Sequence, residues 1–289
     1  MPAALSIVIV SYNRRDALRR TLNELQSQGL LHSAQVIVVD NGSSDGSCEM
    51  VREQFAAATL LALPDNRGVE AFNIGADKAT GDLLLILDDD AWPDPSALDH
   101  ARAKLQDSAK VGAIPLLPRH PASGVEEWRH DGAPHGAWPV MGCGNLVRRE
   151  DWVRVGGYES AFFLYRNDTD LALKLLEAGR DVWFDPSWIV WHDSPGGGGG
   201  ARKSERWLRL ATRNWGWLAR RHGRGLSKWL GMAAGFLWAA RLAGPSPARQ
   251  WCALRGVASA FTQRPPALPA ACRADGRAFA ALVQRQLSR

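Results

Sequence analysis

Four short runs of Val, Ile and Leu recur in the amino-terminal part of the chain: SIVIV at 6–10, QVIVV at 35–39, TLLAL at 59–63 and LLLIL at 83–87. Unbroken apolar runs of this length predict strands covered on both faces, as in a parallel sheet. Between them the pattern changes to helical spacing. Ala17, Leu18, Leu22 and Leu25 share one helix face, and GVEAFNIGADKAT supplies another helix-length connection. The alternation βαβαβαβ predicts an α/β fold, a doubly wound, mostly parallel sheet flanked by helices.

Further along, 118–140 is loop-like, and MGCGNLVRRE predicts a strand feeding a short helix. In NDTDLALKLLEAGRD, Leu171, Leu175 and Leu176 predict a helix with Asn167 or Asp168 as its N-cap and Gly179 as its stop. WFDPSWIVWHDSP predicts a strand with His192 at its exit. The carboxy-terminal part predicts helices at about 202–222, 226–243, 249–263 and 273–287, with Trp207, Trp215, Trp217, Trp229, Trp238 and Trp251 among them.

Charge divides the chain more sharply than its net +5 suggests. From Ala201 onward 17 Lys and Arg face two acids, Glu205 and Asp275, whereas the first 200 residues carry 18 basic and 28 acidic residues. A boundary at the run Gly196–Gly200 therefore predicts an acidic body over 1–200 and a basic, Trp-rich helical tail over 201–289. Such a tail favours an anionic partner. The four cysteines form no CxxC pair, which argues against a zinc knuckle or a disulfide framework and fits a reducing compartment. The start, MPAALSIVIVSYNRR, has no basic region before an apolar run too short for a signal peptide or a span, so it is expected as the first strand.

In open α/β sheets, ligands sit outside the carboxyl ends of the strands. The exits here read SYN (11–13), DNGSSDGS (40–47), DNRG (65–68) and DDD (88–90), all polar. Turn preference alone could cover DNGSSDGS. The triplet is harder, because three carboxylates ending an apolar strand repel one another and need a positive partner. Side-chain alternation puts Asp88 and Asp90 on one side of the strand and Asp89 on the other. A divalent cation shared by the first two is the simplest partner, with His192 as a further ligand. The bland alternatives are a solvated helix start capped by Asp94 or Ser96, and a packed structural His192.

These residues resemble an inverting glycosyltransferase of family 2 with the GT-A fold. The resemblance rests on VIVSYNRRDALRRTLNEL, VIVVDNGSSDGS, NRGVEAFNIGADKATGDLLLILDDDAWPDP and NDTDLALKLLEAG followed by WHDSP, in order over about 5–195. It implies that Tyr12, Asn13 and Asp40 contact the nucleotide base and ribose, and that Asn66, Arg67 and Asn73 line the donor pocket. Asp88 and Asp89 would position the donor, and Asp90 would be the foremost ligand of Mg²⁺ or Mn²⁺ on the diphosphate. The catalytic base would be Asp168, with Asp170 as substrate contact and backup base, or else as first-turn support of the helix dipole. Asn167 stands where the family commonly has Glu, which removes a like charge beside the base.

The expected activity is transfer of one sugar from a UDP- or dTDP-sugar to a glycan or lipid-linked acceptor, in surface polysaccharide synthesis, with features of the rhamnosyltransferase-like branch. A non-catalytic binding protein of this fold and a sugar nucleotidyltransferase remain open alternatives. SYNRRDAL lacks the glycine-rich phosphate loop that the latter needs. The tail is expected either on an anionic membrane surface or packed by its tryptophans against the body. A cytoplasmic protein, peripheral on the inner membrane face, is the corresponding location, and no motif suggests nucleic acid.

Overall fold

The computed structural model describes residues 4–195 and 204–287, so the expected boundary at Gly196–Gly200 lies outside the described residues. A seven-stranded sheet runs in the order β3 (Thr59–Ala62), β2 (Gln35–Asp40), β1 (Leu5–Ser11), β4 (Leu83–Asp88), β8 (Gly144–Arg148), β6 (Val111–Pro115), β9 (Asp181–Val182). The first four strands are parallel, and β8 enters antiparallel between β4 and β6.

Alternation along the inner strands explains their continuous apolar runs. Ile7, Ile9, Val38, Leu83, Leu85 and Leu87 point to one face, where α1 (Arg15–Ser27) supplies Leu18, Leu22 and Leu25. Val8, Ile37, Val39, Leu84 and Ile86 point to the other, covered by α4 (Glu70–Asp77) and by Leu171, Ala172 and Leu175 of α7 (Asn167–Glu177). Each such side chain stabilises the fold by roughly 1.5–3 kcal/mol through burial. The edge strand β3 departs from the expectation of two covered faces, because its residues are half-buried or exposed.

A second, three-stranded sheet joins β5 (Ala91–Pro93), β10 (Ile189–His192) and β7 (Leu117–Arg119). Its register pairs His192 with Ala91, which sets the His192 ring beside Asp90. Asp94 caps α5 (Pro95–Asp107) by accepting from Ser96 N and Ala97 N. The cap is thus at Asp94, as the bland reading of the triplet expected, but Asp89 and Asp90 are buried rather than solvated.

Four tail helices follow: α8 (Glu205–His222), α9 (Gly225–Ala243), α10 (Pro247–Thr262) and α11 (Arg277–Leu287), close to the predicted spans. Trp215 and Trp217 of α8 are buried with Phe279 and Val283 of α11 against Phe162 and Leu173 of the body. Trp229 and Trp251 are exposed. The tryptophans therefore divide, Trp215 and Trp217 packing the tail onto the body as one expectation had it and Trp229 and Trp251 remaining at the surface. No helix among the described residues is long and apolar enough to cross a membrane.

Candidate active site

A cleft of about 730 Å³ opens at the carboxyl ends of β1 to β4. Tyr12, Asn66, Asp88, Asp89, Asp90 and His192 line it, so half of the residues singled out in the sequence meet there. Its floor is the acidic triplet. β4 ends at Asp88, and Asp89 and Asp90 form a turn rather than continuing the strand. Asp88 and Asp90 nevertheless converge, because the turn is tied to β10 by Asp193 N donating to Asp90 O at 2.8 Å. One ligand atom from each of Asp88, Asp90 and His192 falls within 4.8 Å of the others.

These three residues fit a divalent cation. Among the described residues Asp90 Oδ1 is buried with no well-aligned hydrogen bond and with only the His192 ring beside it, and two carboxylates with one imidazole suit Mn²⁺ or Mg²⁺ with positions left for phosphate oxygens. His192 Nε2 lies 3.2 Å from Asp90 Oδ1, while Nδ1 lies 2.9 Å from Glu127 Oε1. A carboxylate on the far ring nitrogen is the arrangement that orients a metal-ligating histidine.

The positive partner demanded by the triplet also comes from the chain itself. Arg14, just past the exit of β1, places Nη2 2.7 Å from Asp90 Oδ2 and Nη1 3.3 Å from Asp89 Oδ1. Burial would raise the pKa of Asp90, but His192 and Arg14 outweigh it and hold it low. Asp89 is pushed up to about 7, chiefly by burial, against the pull of Arg14. Asp88 is open to the cleft, yet the depth of the floor costs it hydration and, with Asp90 beside it, pushes it up to about 6.

One wall of the cleft is built around Asn41. Its Nδ2 donates to Asn66 Oδ1 (3.2 Å) and Gly68 O (3.1 Å), and its Oδ1 accepts from Arg67 N (2.8 Å). Gly68 has φ +58, and a Cβ there would collide with Phe163 O, the acceptor for Val69 N. Asp40 is buried, its Oδ1 accepting from Ser43 N at 2.8 Å and its Oδ2 left without a hydrogen-bond partner among the described residues.

Other expected site residues lie outside the cleft lining. Asn13 (φ +53) accepts from Ser44 N at 2.8 Å and fastens two strand exits together. Arg67 is exposed and turned to Asp65. Asn73 spends both ends of its amide on the Tyr158 backbone, at 2.7 and 2.9 Å.

Asp168 is half-buried in the first turn of α7, and burial raises its pKa, which suits a group that must accept a proton. The helix cap expected at Asn167 or Asp168 is instead Arg166, in the left-handed region with no side-chain cap bond. Phe163, Tyr165 and Arg166 all have φ between 64 and 68, a strained segment that α8 pins down. Asn214 Nδ2 faces Phe162 O, Leu164 O and Tyr165 O at 3.1, 2.8 and 2.8 Å, so its two hydrogens are shared among three carbonyls. Leu164 and Tyr165 line the cleft together with Ser204 and Trp207 of the tail, whereas Asp168, three residues further along, is not among its lining residues.

Asp170 differs from Asp168 in its surroundings. It is fully buried, with Oδ1 3.0 Å from His222 Nε2 and 3.1 Å from Arg221 Nε, and Oδ2 3.4 Å from Lys174 Nζ. Burial alone would raise its pKa, but Lys174, His222 and Arg221 hold it well below the usual range. Asp170 joins α7 to α8 and faces cations on every side, an arrangement that neither the substrate-contact nor the helix-dipole expectation anticipated.

Sequence reasoning missed Arg14, Asn41, Glu127 and Asn214. Arg14 and Asn41 carried a signal in their position at strand exits, and Asn214 in being an amide within the apolar face of α8. Glu127, in a loop without periodicity, carried none.

The family model described as "Glycosyl transferase family 2" matches residues 6–171. "Probable glycosyltransferase YdaM" of Bacillus subtilis is 24% identical over 220 residues, 66% of this chain, and the chain spans only 51% of that protein. "N-acetylglucosaminyl-diphospho-decaprenol L-rhamnosyltransferase" of Mycobacterium tuberculosis is 24% identical over 75% of this chain and 87% of its own length. Among solved structures, a mannosyltransferase from Pyrobaculum calidifontis in complex with GDP-Man and Mn²⁺ superposes with a TM-score of 0.60 at 21% identity, covering 100% of this chain and 80% of that one. At that identity the likeness speaks for the fold.

Proposed function

The chain belongs to glycosyl transferase family 2 and has the GT-A fold, and from that premise we propose an inverting transfer of one sugar from a UDP- or dTDP-linked donor to a lipid-linked glycan acceptor. The observation that carries the reading is the convergence of Asp88, Asp90 and His192 within 4.8 Å on the cleft floor. The mycobacterial relative, whose name places a diphospho-decaprenol on its acceptor, supports the lipid-linked choice.

In this reading Tyr12 and the Asn41-braced turn at Asn66–Gly68 form the nucleoside end of the cleft, and Asp40 behind them offers its unpartnered oxygen to the ribose. Asp88, Asp90 and His192 would hold Mn²⁺ or Mg²⁺, which supplies charge compensation for the departing diphosphate. Arg14 keeps Asp90 ionised and oriented. Asp168 takes the proton of the acceptor hydroxyl as it attacks the anomeric carbon from the side opposite the diphosphate, and its raised pKa makes it an effective acceptor of that proton.

A donor panel scored by thermal shift tests the first half. A donor at 100 times its Kd stabilises the fold by ~2.7 kcal/mol, and the gain should need Mn²⁺ and vanish in Asp88→Ala and Asp90→Ala. Asp168→Asn tests the second half: it should keep the donor shift and lose transfer by roughly 10²–10⁴-fold. Full transfer by that variant would remove Asp168 from the mechanism.

A further inference from the structure

The outer side of α9 and α10 carries large apolar side chains at helical spacing. On α9, the face opposite the buried Gly231, Gly235 and Ala239 presents Leu226, Trp229, Leu230 and Leu237, exposed by 72, 58, 47 and 68%. On α10, Trp251, Leu254 and Phe261 are exposed by 62, 57 and 52%. Phe261 meets Phe236 of α9 with ring centroids 6.0 Å apart, so the two stripes adjoin as one face. Scattered exposed leucines need no explanation, but a contiguous face containing two tryptophans does.

Charge selects the occupant. Residues 224–264 contain six Lys and Arg and no Asp or Glu. Lys228 Nζ stands over the Trp229 ring at 5.0 Å, and Arg241 and Arg255, both exposed, lie one turn beyond Leu237 and Trp251. A second copy of the chain docked on this face would set cations against cations. An anionic lipid surface meets both demands, since tryptophan and leucine seat among headgroups while Lys and Arg reach lipid phosphate. Interfacial seating also fits helices too short in apolar length to span.

We infer that the α9–α10 face docks on an anionic bilayer surface. Trp207, which lines the cleft, packs on Trp238 of α9 with centroids 5.5 Å apart, so the docking face and the cleft mouth share one helical layer. The inference goes beyond the transferase reading and is scored without any donor.

The test is flotation of the full chain with phosphatidylglycerol-containing vesicles and with pure phosphatidylcholine vesicles. The chain should float with the anionic vesicles at low salt and several-fold less with the neutral ones or at high salt. Arg241→Gln and Arg255→Gln should each weaken binding about fivefold. Leu226→Ser with Leu237→Ser, and separately Trp229→Ser with Trp251→Ser, should abolish flotation while leaving the circular dichroism spectrum as in the parent. Failure to float on anionic vesicles at low salt overturns the inference. So does undiminished flotation of both serine pairs, or a dimer in sedimentation velocity that the serine pairs convert to monomer.

Discussion

Replacing Asp170 with Asn tests whether the tail and the catalytic body form one structure held by charge. The parent cluster balances Asp170, Glu177 and Glu159 against Lys174, Arg221 and His222. His222 has each ring nitrogen against a carboxylate, Nδ1 at 2.9 Å from Glu177 Oε1 and Nε2 at 3.0 Å from Asp170 Oδ1. Both nitrogens can donate only in the imidazolium, the form that the two carboxylates favour in this fully buried ring. Asp170→Asn leaves two carboxylates against three cations and one uncompensated positive charge in a dry place. Breaking a buried pair by removing one partner costs about 3–5 kcal/mol, against a total stability of order 5–15.

Urea unfolding followed by tryptophan fluorescence measures it. At a slope of about 3 kcal/mol/M the midpoint should fall by about 1–1.7 M. A double-mutant cycle with His222→Gln should show a coupling of about 0.5–3 kcal/mol, because the second change removes one of the stranded cations. Two results would refute the reasoning: a loss below about 1 kcal/mol, or unchanged stability with a raised KM. The second would return Asp170 to the substrate-contact role first expected of it.

Three further outcomes follow from the same contacts. Burial opposes the charged form of His222, but Asp170 and Glu177 raise its pKa above 6.5, so its stabilisation is complete below 6.5 and fades as pH rises through the raised value; the stability gap between the parent and His222→Gln should narrow over that range. Asn214→Ala should cost about 1–3 kcal/mol and speed amide hydrogen exchange at 162–166, and Asn214→Asp, which sets a carboxylate against three carbonyls, should cost at least as much. Gly68→Ala, at φ +58 and against Phe163 O, should cost at least about 1–2 kcal/mol for its backbone conformation alone and abolish the donor-induced thermal shift.

Much of the fold was legible because its signals are local. SIVIV, QVIVV and LLLIL became β1, β2 and β4 since residues buried on both faces leave no polar phase in the sequence. The tail helices were legible from 3.6-residue periodicity even though their partners were not. The meeting of Asp88, Asp90 and His192 was legible as well, although Asp89 and Asp90 leave the strand. What brings Asp90 to His192 is the β5–β10 register, and that register was implied only by the position of WHDSP at a strand exit. Arg14 and Arg15 are indistinguishable as letters. Only the pairing of β1 with β4 aims Arg14 at Asp89 and Asp90 while Arg15 turns to Asp16.

Asp168 and Asp170 show where local reading stops. Two residues apart on one helix, they carry the same side chain and the same dipole argument, yet burial raises the pKa of one and cations depress that of the other. The difference is made by Lys174 one turn away and by Arg221 and His222 about fifty residues downstream. The same helix α8 supplies Asn214 to the strained loop that precedes Asp168, and Trp207 to the cleft wall. A tail that fixes the loop, the helix and part of the wall is therefore a structural component of the cleft. Its basic charge then divides by exposure, the buried part neutralising carboxylates of α7 and the exposed part, Arg241 and Arg255 among it, facing solvent.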